Sequence, residues 1–452
     1  MLGGQLVHGA EDWYVKQVMN YDPQQLIAPN TMLFVRKSDE VNWKELNKIK
    51  HLLIVCDATE KLQNRAATSI TIIYVRNILQ AYFAFCIYYR NLFDLPVVAI
   101  TGTCGKTTTK EMLKHILSTD MNVQTSVSSK NEPRQSLPYL LGIDDNTKAA
   151  VFELGLGNTG NISYQCQVYQ PTIGVITNIG VHHLDGCKNL EGYIKAKSEI
   201  LYGIRAGGTL IINSDDENTK KIPLSTYPNK VFTFGIKNKA DIYATAVQFA
   251  AKGMKFQVHI NHKTYQAYIP GYGEHQVYNV LAVLAVIHEL GLSVQKAILR
   301  LRTFEQMERH LQFSEGVGGS TIIDDTWTNN PTSLEAALKV LDSIGKGKKR
   351  YLVLGDIKRL GQFEKKYHMD LGSLVATYPI HTLITIGSKA EYIAKQAIED
   401  GTTANVYMYK DTQGVYELLK QQLDRKSLLL IKGPMSSRAM IQFAEQLKRK
   451  ES

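Results

Sequence analysis

Residues 97–109, VVAITGTCGKTTT, run from a β-branched apolar stretch into two glycines, a lysine and three consecutive threonines. A strand that ends in such a loop and reopens as a helix can hold phosphate. Its glycines let backbone N–H groups approach the anion, and the helix N-terminus adds partial positive charge. Gly102, Thr103, Cys104, Gly105, Lys106, Thr107 and Thr108 form the candidate loop. Lys106 is placed to reach terminal phosphates and Thr107 to hold magnesium. Two residues separate the glycines, where the common phosphate loop has four. Cys104 stands at the helix start beside Lys106, which predicts a lowered thiol pKa and a reactive side chain.

Two further stretches offer metal ligands. FELG ends an apolar run at Glu153, and TNIGVHHLDG places His182, His183 and Asp185 just past another. In an open α/β sheet, ligands collect at the carboxyl ends of strands, so these loops could converge on the phosphate loop. Taken alone, the histidines read as a surface pair and Glu153 as a helix-cap acid.

The elements that must position these residues follow a repeating pattern. Apolar strand candidates (TMLFVR, HLLIVC, SITIIYV, then AAVFELG, IGVITNIG, GTLIINS, VFTFGI) alternate with helical stretches, as in α/β folds with parallel sheets. Residues 240–270 break the rhythm with an antiparallel insertion, and a second α/β series begins near residue 320. The length of 452 residues suits about three domains. They are expected at 1–95, 96–310 and 311–452. Val75, Ile78, Leu79, Tyr82, Cys86 and Tyr89 recur at helical spacing, and the uncharged run around them falls short of the ~18–20 residues that span a bilayer. It is read as a buried amphipathic helix.

The net charge of +10 comes without an arginine-rich tract or interleaved aromatics. Small anionic substrates are therefore expected rather than nucleic acid. Five scattered cysteines form neither a disulfide framework nor a zinc ribbon. The first residues lack the basic start and apolar core of a signal peptide, so the expected location is cytoplasmic.

Read together, the motifs resemble the ATP-dependent Mur ligases of peptidoglycan synthesis, closest to the MurF type. The family's T-G-[TS]-x-G-K-T-T-T is matched at 101–109, and its N-I-x-x-x-H-L-[DE] at 178–185, which selects His183 over His182. A-K-x-E-I falls at 196–200, and G-E-H-N-x-x-N appears as GEHQVYN at 273–279. The family's D-D-S-Y-N-A-N-P appears as DDTWTNNP at 324–331, followed by LGDIKRLG (354–361) and IKGPMSSR (431–438).

The resemblance implies a three-domain α/β architecture with a phosphate-loop central sheet and a Rossmann-like C-terminal domain. It implies ATP-dependent amide-bond formation through an acyl phosphate, with an anionic carboxylate and an amine as substrates, by a monomer. Lys106, Lys197, His183 and Arg309 are the catalytic candidates. Thr107, Glu153, His183 and a carbamylated Lys197 would hold magnesium. ATP would meet the phosphate loop together with His275, Asn279, Arg309, Asp325 and Asn330, and Asp356 would face the substrate. Asp325, Asn330 and Asp356 read equally well as cap or turn residues.

The departures gather away from the ATP residues. In YDPQQLIAPNTMLFV the family's Ser/Thr-Arg pair is Pro23-Gln24, its D-G-H-x-F is absent, and Lys358-Arg359 stand in a region usually acidic. They predict weakened activity toward UDP-muramoyl-tripeptide and leave open a paralogue acting on another carboxylate. A non-catalytic ATP-binding regulator is the remaining alternative. Intact Lys106, Thr107, Glu153, His183 and Lys197 count against it.

Overall fold

Three parallel-rich sheets follow one another along the chain in the computed structural model, which describes residues 2–58 and 66–449. The first has five strands. Thr31–Val35 and Leu52–Cys56 lie inside it and are buried throughout, as unbroken apolar runs require when both faces are covered. Gln17–Asn20 and Ile70–Tyr74 flank them in parallel, and Gln5–His8 closes one edge antiparallel.

The nine-stranded second sheet sets the chemistry. Its phosphate-loop strand, Val97–Thr101, lies between Thr147–Glu153 and Ile173–Ile176, both parallel to it. Register pairs Ile100 with Glu153 and Thr101 with Ile176. Glu153 and the loop carrying His183 therefore leave the sheet on either side of the phosphate loop. Strands Ile242–Ala250, Gly253–Ile260 and Lys263–Pro270 extend this sheet, the last two pairings antiparallel. The six-stranded third sheet carries the second α/β series, with Gln312–Glu315 its antiparallel edge.

The helix expected near residue 80 spans Ile78–Asn91 and starts from Asn77, whose side chain accepts from the Gln80 N–H. Its inward stripe is Ala81, Tyr82, Phe85, Cys86 and Arg90, while Leu79 is 48% exposed. The assignment of Leu79 to the buried face is thus corrected. The helix packs on both Thr31–Val35 and Asn161–Tyr169, which turns Phe85 inward and Leu79 out. Buried Arg90 donates to the carbonyls of Tyr169, Phe93 and Leu95 at 3.2, 2.8 and 2.8 Å. Burial lowers its pKa to about 10, and these bonds satisfy a guanidinium that would otherwise be costly to bury. Around it, one continuous core runs from Val18 and Phe34 in the first sheet to Ile176 and Ile212 in the second. The third sheet has cores of its own. Among the described residues, no helix is long and apolar enough to cross a membrane.

Candidate active site

Gly102 and Gly105 shape the loop. Their φ values are 146° and 82°, both in the positive range that side chains disfavour. A Cβ at Gly102 would stand 1.9 Å from Thr177 Oγ1, and one at Gly105 2.3 Å from Asn279 Oδ1. Asn178 braces the turn by accepting from the Cys104 N–H at 3.1 Å and donating to the Cys104 carbonyl at 3.0 Å. Helix Lys106–Leu117 then opens with its first amides free of intrahelical partners. Buried Lys110 ties that helix down by donating to the carbonyls of Ser126 and Ser128 at 2.7 Å each.

Glu153 is the hub of the cluster. It accepts from Thr107 Oγ1 at 2.8 Å and from Asn131 Nδ2 at 2.6 Å, and Lys106 Nζ lies 3.8 Å away. Lys197, on helix Leu190–Ser198, is 1% exposed and donates to Thr101 Oγ1 at 3.0 Å. Burial first, and then the charge of Lys106, holds its amine well below the ordinary lysine pKa. His183 caps the short helix Leu184–Cys187 with φ 53°. Burial, followed by His182 and Arg359, keeps its ring far below the usual imidazole range, so it is neutral near pH 7. His182 is pushed down to about 3, mainly by burial.

Among the described residues, no three His, Cys, Asp or Glu side chains are gathered as a metal cage. The residues present nevertheless fit magnesium shared with a nucleotide, which takes few protein ligands. His183 Nδ1 is buried without a hydrogen-bond partner, and Thr107 and Glu153 supply oxygens within 2.8 Å of each other.

A cleft of about 780 Å³ opens from the loop, with His275, Asn279, Asp325 and Thr332 on its walls. Burial lowers His275 to about 4. Asp325 pairs with buried Lys432 and accepts from the Leu311 N–H at 3.3 Å. Three expected residues have local partners instead. Arg309 lies outside this cleft's lining, its guanidinium 4.7 Å over the Trp327 ring. Asn330 caps helix Pro331–Ile344 in a capping box with Ser333, although its Nδ2 stays buried and unpartnered. Asp356 accepts from the Lys389 and Ala390 N–H groups at 3.0 and 2.7 Å, at the start of helix Ala390–Glu399.

The expectation for Cys104 is corrected. Desolvation outweighs Lys106 and raises its pKa, and the thiol donates to Asn330 Oδ1 at 3.5 Å. At neutral pH it is a thiol, so iodoacetamide should modify it more slowly than a free cysteine, and ATP should slow that further. Labelling at the free-cysteine rate would contradict this reading.

The Mur ligase middle-domain family model matches residues 100–287, and the model of the Mur ligase glutamate ligase domain matches residues 309–435. The chain belongs to the Mur ligase family. As such it is an ATP-dependent ligase that forms amide bonds. It is similar to the UDP-N-acetylmuramoyl-tripeptide–D-alanyl-D-alanine ligase of Bacillus subtilis, 28% identical over 346 residues, 76% of this chain and 74% of that one. A crystal structure of MurF from Acinetobacter baumannii superposes with TM-score 0.80 at 26% identity, covering 95% and 94% of the two chains. The MurF ligase of Thermotoga maritima in complex with ADP has the same fold, with TM-score 0.78 at 19% identity over 95% and 97%.

Several residues of this ligase's site escaped the sequence reading. Asn131, the partner of Glu153, lies in a loop without a motif. Lys432 falls within IKGPMSSR, yet its pairing with Asp325 spans 107 positions. Asn178 opens a quoted motif, but only the fold shows it bracing Cys104.

Proposed function

We propose that this ligase joins UDP-N-acetylmuramoyl-tripeptide to D-alanyl-D-alanine. The γ-phosphoryl group of ATP passes to the tripeptide carboxylate, releasing ADP. The amine then attacks the acyl carbon, phosphate leaves, and the amine's proton goes to solvent. The observation that carries this reading is the contact of Glu153 with Lys106 and Thr107, two residues that line the cleft. Such transfer rests on positioning and charge neutralisation. Lys106 follows the charge on the moving phosphoryl group. Thr107, Glu153, His183 and Lys197 would hold magnesium, which when bound neutralises phosphate charge. As a carbamate, Lys197 would exchange a cation for oxygen donors suited to a hard metal. His275, Asn279, Asp325 and Asn330 would face the nucleotide, Arg309 would close on its phosphates, and Asp356 would serve the incoming amine.

Residues 1–95 would read the acceptor, 96–310 ATP and 311–452 the amine. The protein would act as a cytoplasmic monomer, and five free cysteines suit that compartment. Similarity to a MurF structure over 95% of the chain moves the reading back toward the UDP-muramoyl acceptor. Pro23-Gln24, which lack a charged side chain, favour the second reading of a different carboxylate. The expected result is ADP formation with the MurF substrate pair at ordinary enzymatic rates, ~1–10³ per second. Turnover confined to another acid–amine pair would replace the first reading with the second.

A further inference from the structure

Contacts from the third sheet's unit meet the histidine loop at both ends. Arg359 Nε donates to Asp185 Oδ2 at 2.5 Å, and the Arg359 carbonyl accepts from the Leu184 N–H at 2.8 Å. A Cβ on Gly361 would stand 3.3 Å from the Asp185 Cα, so the 359–361 turn lies flat on the loop. At the loop's other end, Gly180 faces Thr332, with only 1.8 Å between a Cβ placed there and Thr332 Oγ1.

Both partners hold left-handed backbone, with φ 53° at His183 and 68° at Arg359. Such residues persist where their surroundings over-determine them. The His183 ring has little to orient it locally. Its Nδ1 is unpartnered and its neighbour is the His182 ring, 4.1 Å away. The two residues that follow it are the ones gripped by Arg359. An ion pair about 40% exposed on each side adds little stability by itself. Its effect lies in where it places the backbone beneath His183.

We infer that Arg359 is a positioning residue for His183: docking of the C-terminal unit through Arg359 and Asp185 presents the histidine to the metal. The inference rests on the metal reading above. It links metal binding to the position of the unit that would deliver the amine.

The full-length chain tests it. Mn²⁺ affinity in the presence of ADP is followed by electron paramagnetic resonance, and hydrogen exchange by the Leu184 amide. Arg359→Glu should weaken Mn²⁺ binding about 10-fold, as losing a ligand's outer support does, and should unprotect the amide. The charge-swapped pair Asp185→Arg with Arg359→Glu should recover both, and Arg359→Lys should keep most of the affinity. In ligation assays kcat should fall while KM for ATP holds. Wild-type Mn²⁺ affinity in Arg359→Glu, or no recovery in the swapped pair, would overturn the inference alone. A wild-type chain that binds ADP but no Mn²⁺ would overturn the metal reading and this inference with it.

Discussion

Lys106→Ala is expected to lower ATP turnover by about 10³-fold or more while leaving the chain folded. Removing a single preorganised donor from developing charge costs about 10²–10³ in rate. Lys106 carries a full charge on a side chain long enough to follow the phosphoryl group. Its present contacts are modest, the Thr103 carbonyl at 3.3 Å and Glu153 at 3.8 Å. Glu153 keeps Thr107 and Asn131 when the lysine goes, so no buried carboxylate is orphaned. The measurement is ADP release with a productive acid–amine pair, alongside a circular dichroism spectrum that should not change. Near wild-type turnover would mean that the loop has been misread.

The second large effect is expected at Lys197. Its buried amine, held well below the ordinary lysine pKa by desolvation, can in its neutral form attack CO₂ through its lone pair and lose a proton to become a carbamate. Lys197→Ala should reduce turnover by about 10²-fold or more, since it removes the proposed metal-binding anion. Short carboxylic acids such as acetate should restore part of the activity by entering the space beside Thr101 and Tyr193. Rescue separates a chemical role from a packing one, because a cavity alone would not require an anion. Labelled bicarbonate should give a carbamate carbon resonance in the wild type and none in the variant. Full activity of the alanine variant would remove Lys197 from the mechanism.

What could be read in the residues follows how local the physics is. The phosphate loop was legible because strand, glycines and helix start are consecutive, and the strand ends at Glu153 and Ile176 followed from apolar runs of ordinary length. Contacts across the fold were not legible. Cys104 shows its neighbour Lys106 in sequence, but the desolvation that raises its pKa comes from the fold and outweighs even the opposing hydrogen bond to Asn330, 226 positions away. Arg309 and Asp356 were assigned through the family resemblance, and only the fold reveals the Trp327 ring and the helix start that hold them. Leu79 obeyed helical spacing, but spacing does not say which of two packed neighbours sets the rotation of the helix.

Arg90 gives the molecule a fixed jaw. Its three carbonyl partners and the core that surrounds them fasten the first sheet to the second, and a large apolar contact of this kind suppresses relative motion. The third sheet keeps cores of its own and meets the histidine loop through Arg359, Gly361 and Thr332. If the first sheet reads the acceptor as proposed, the span from it to the phosphate loop would serve as a gauge. An extended peptide lengthens by about 3.3–3.6 Å per residue, so such a gauge would sort acceptors by reach before any side chain is inspected.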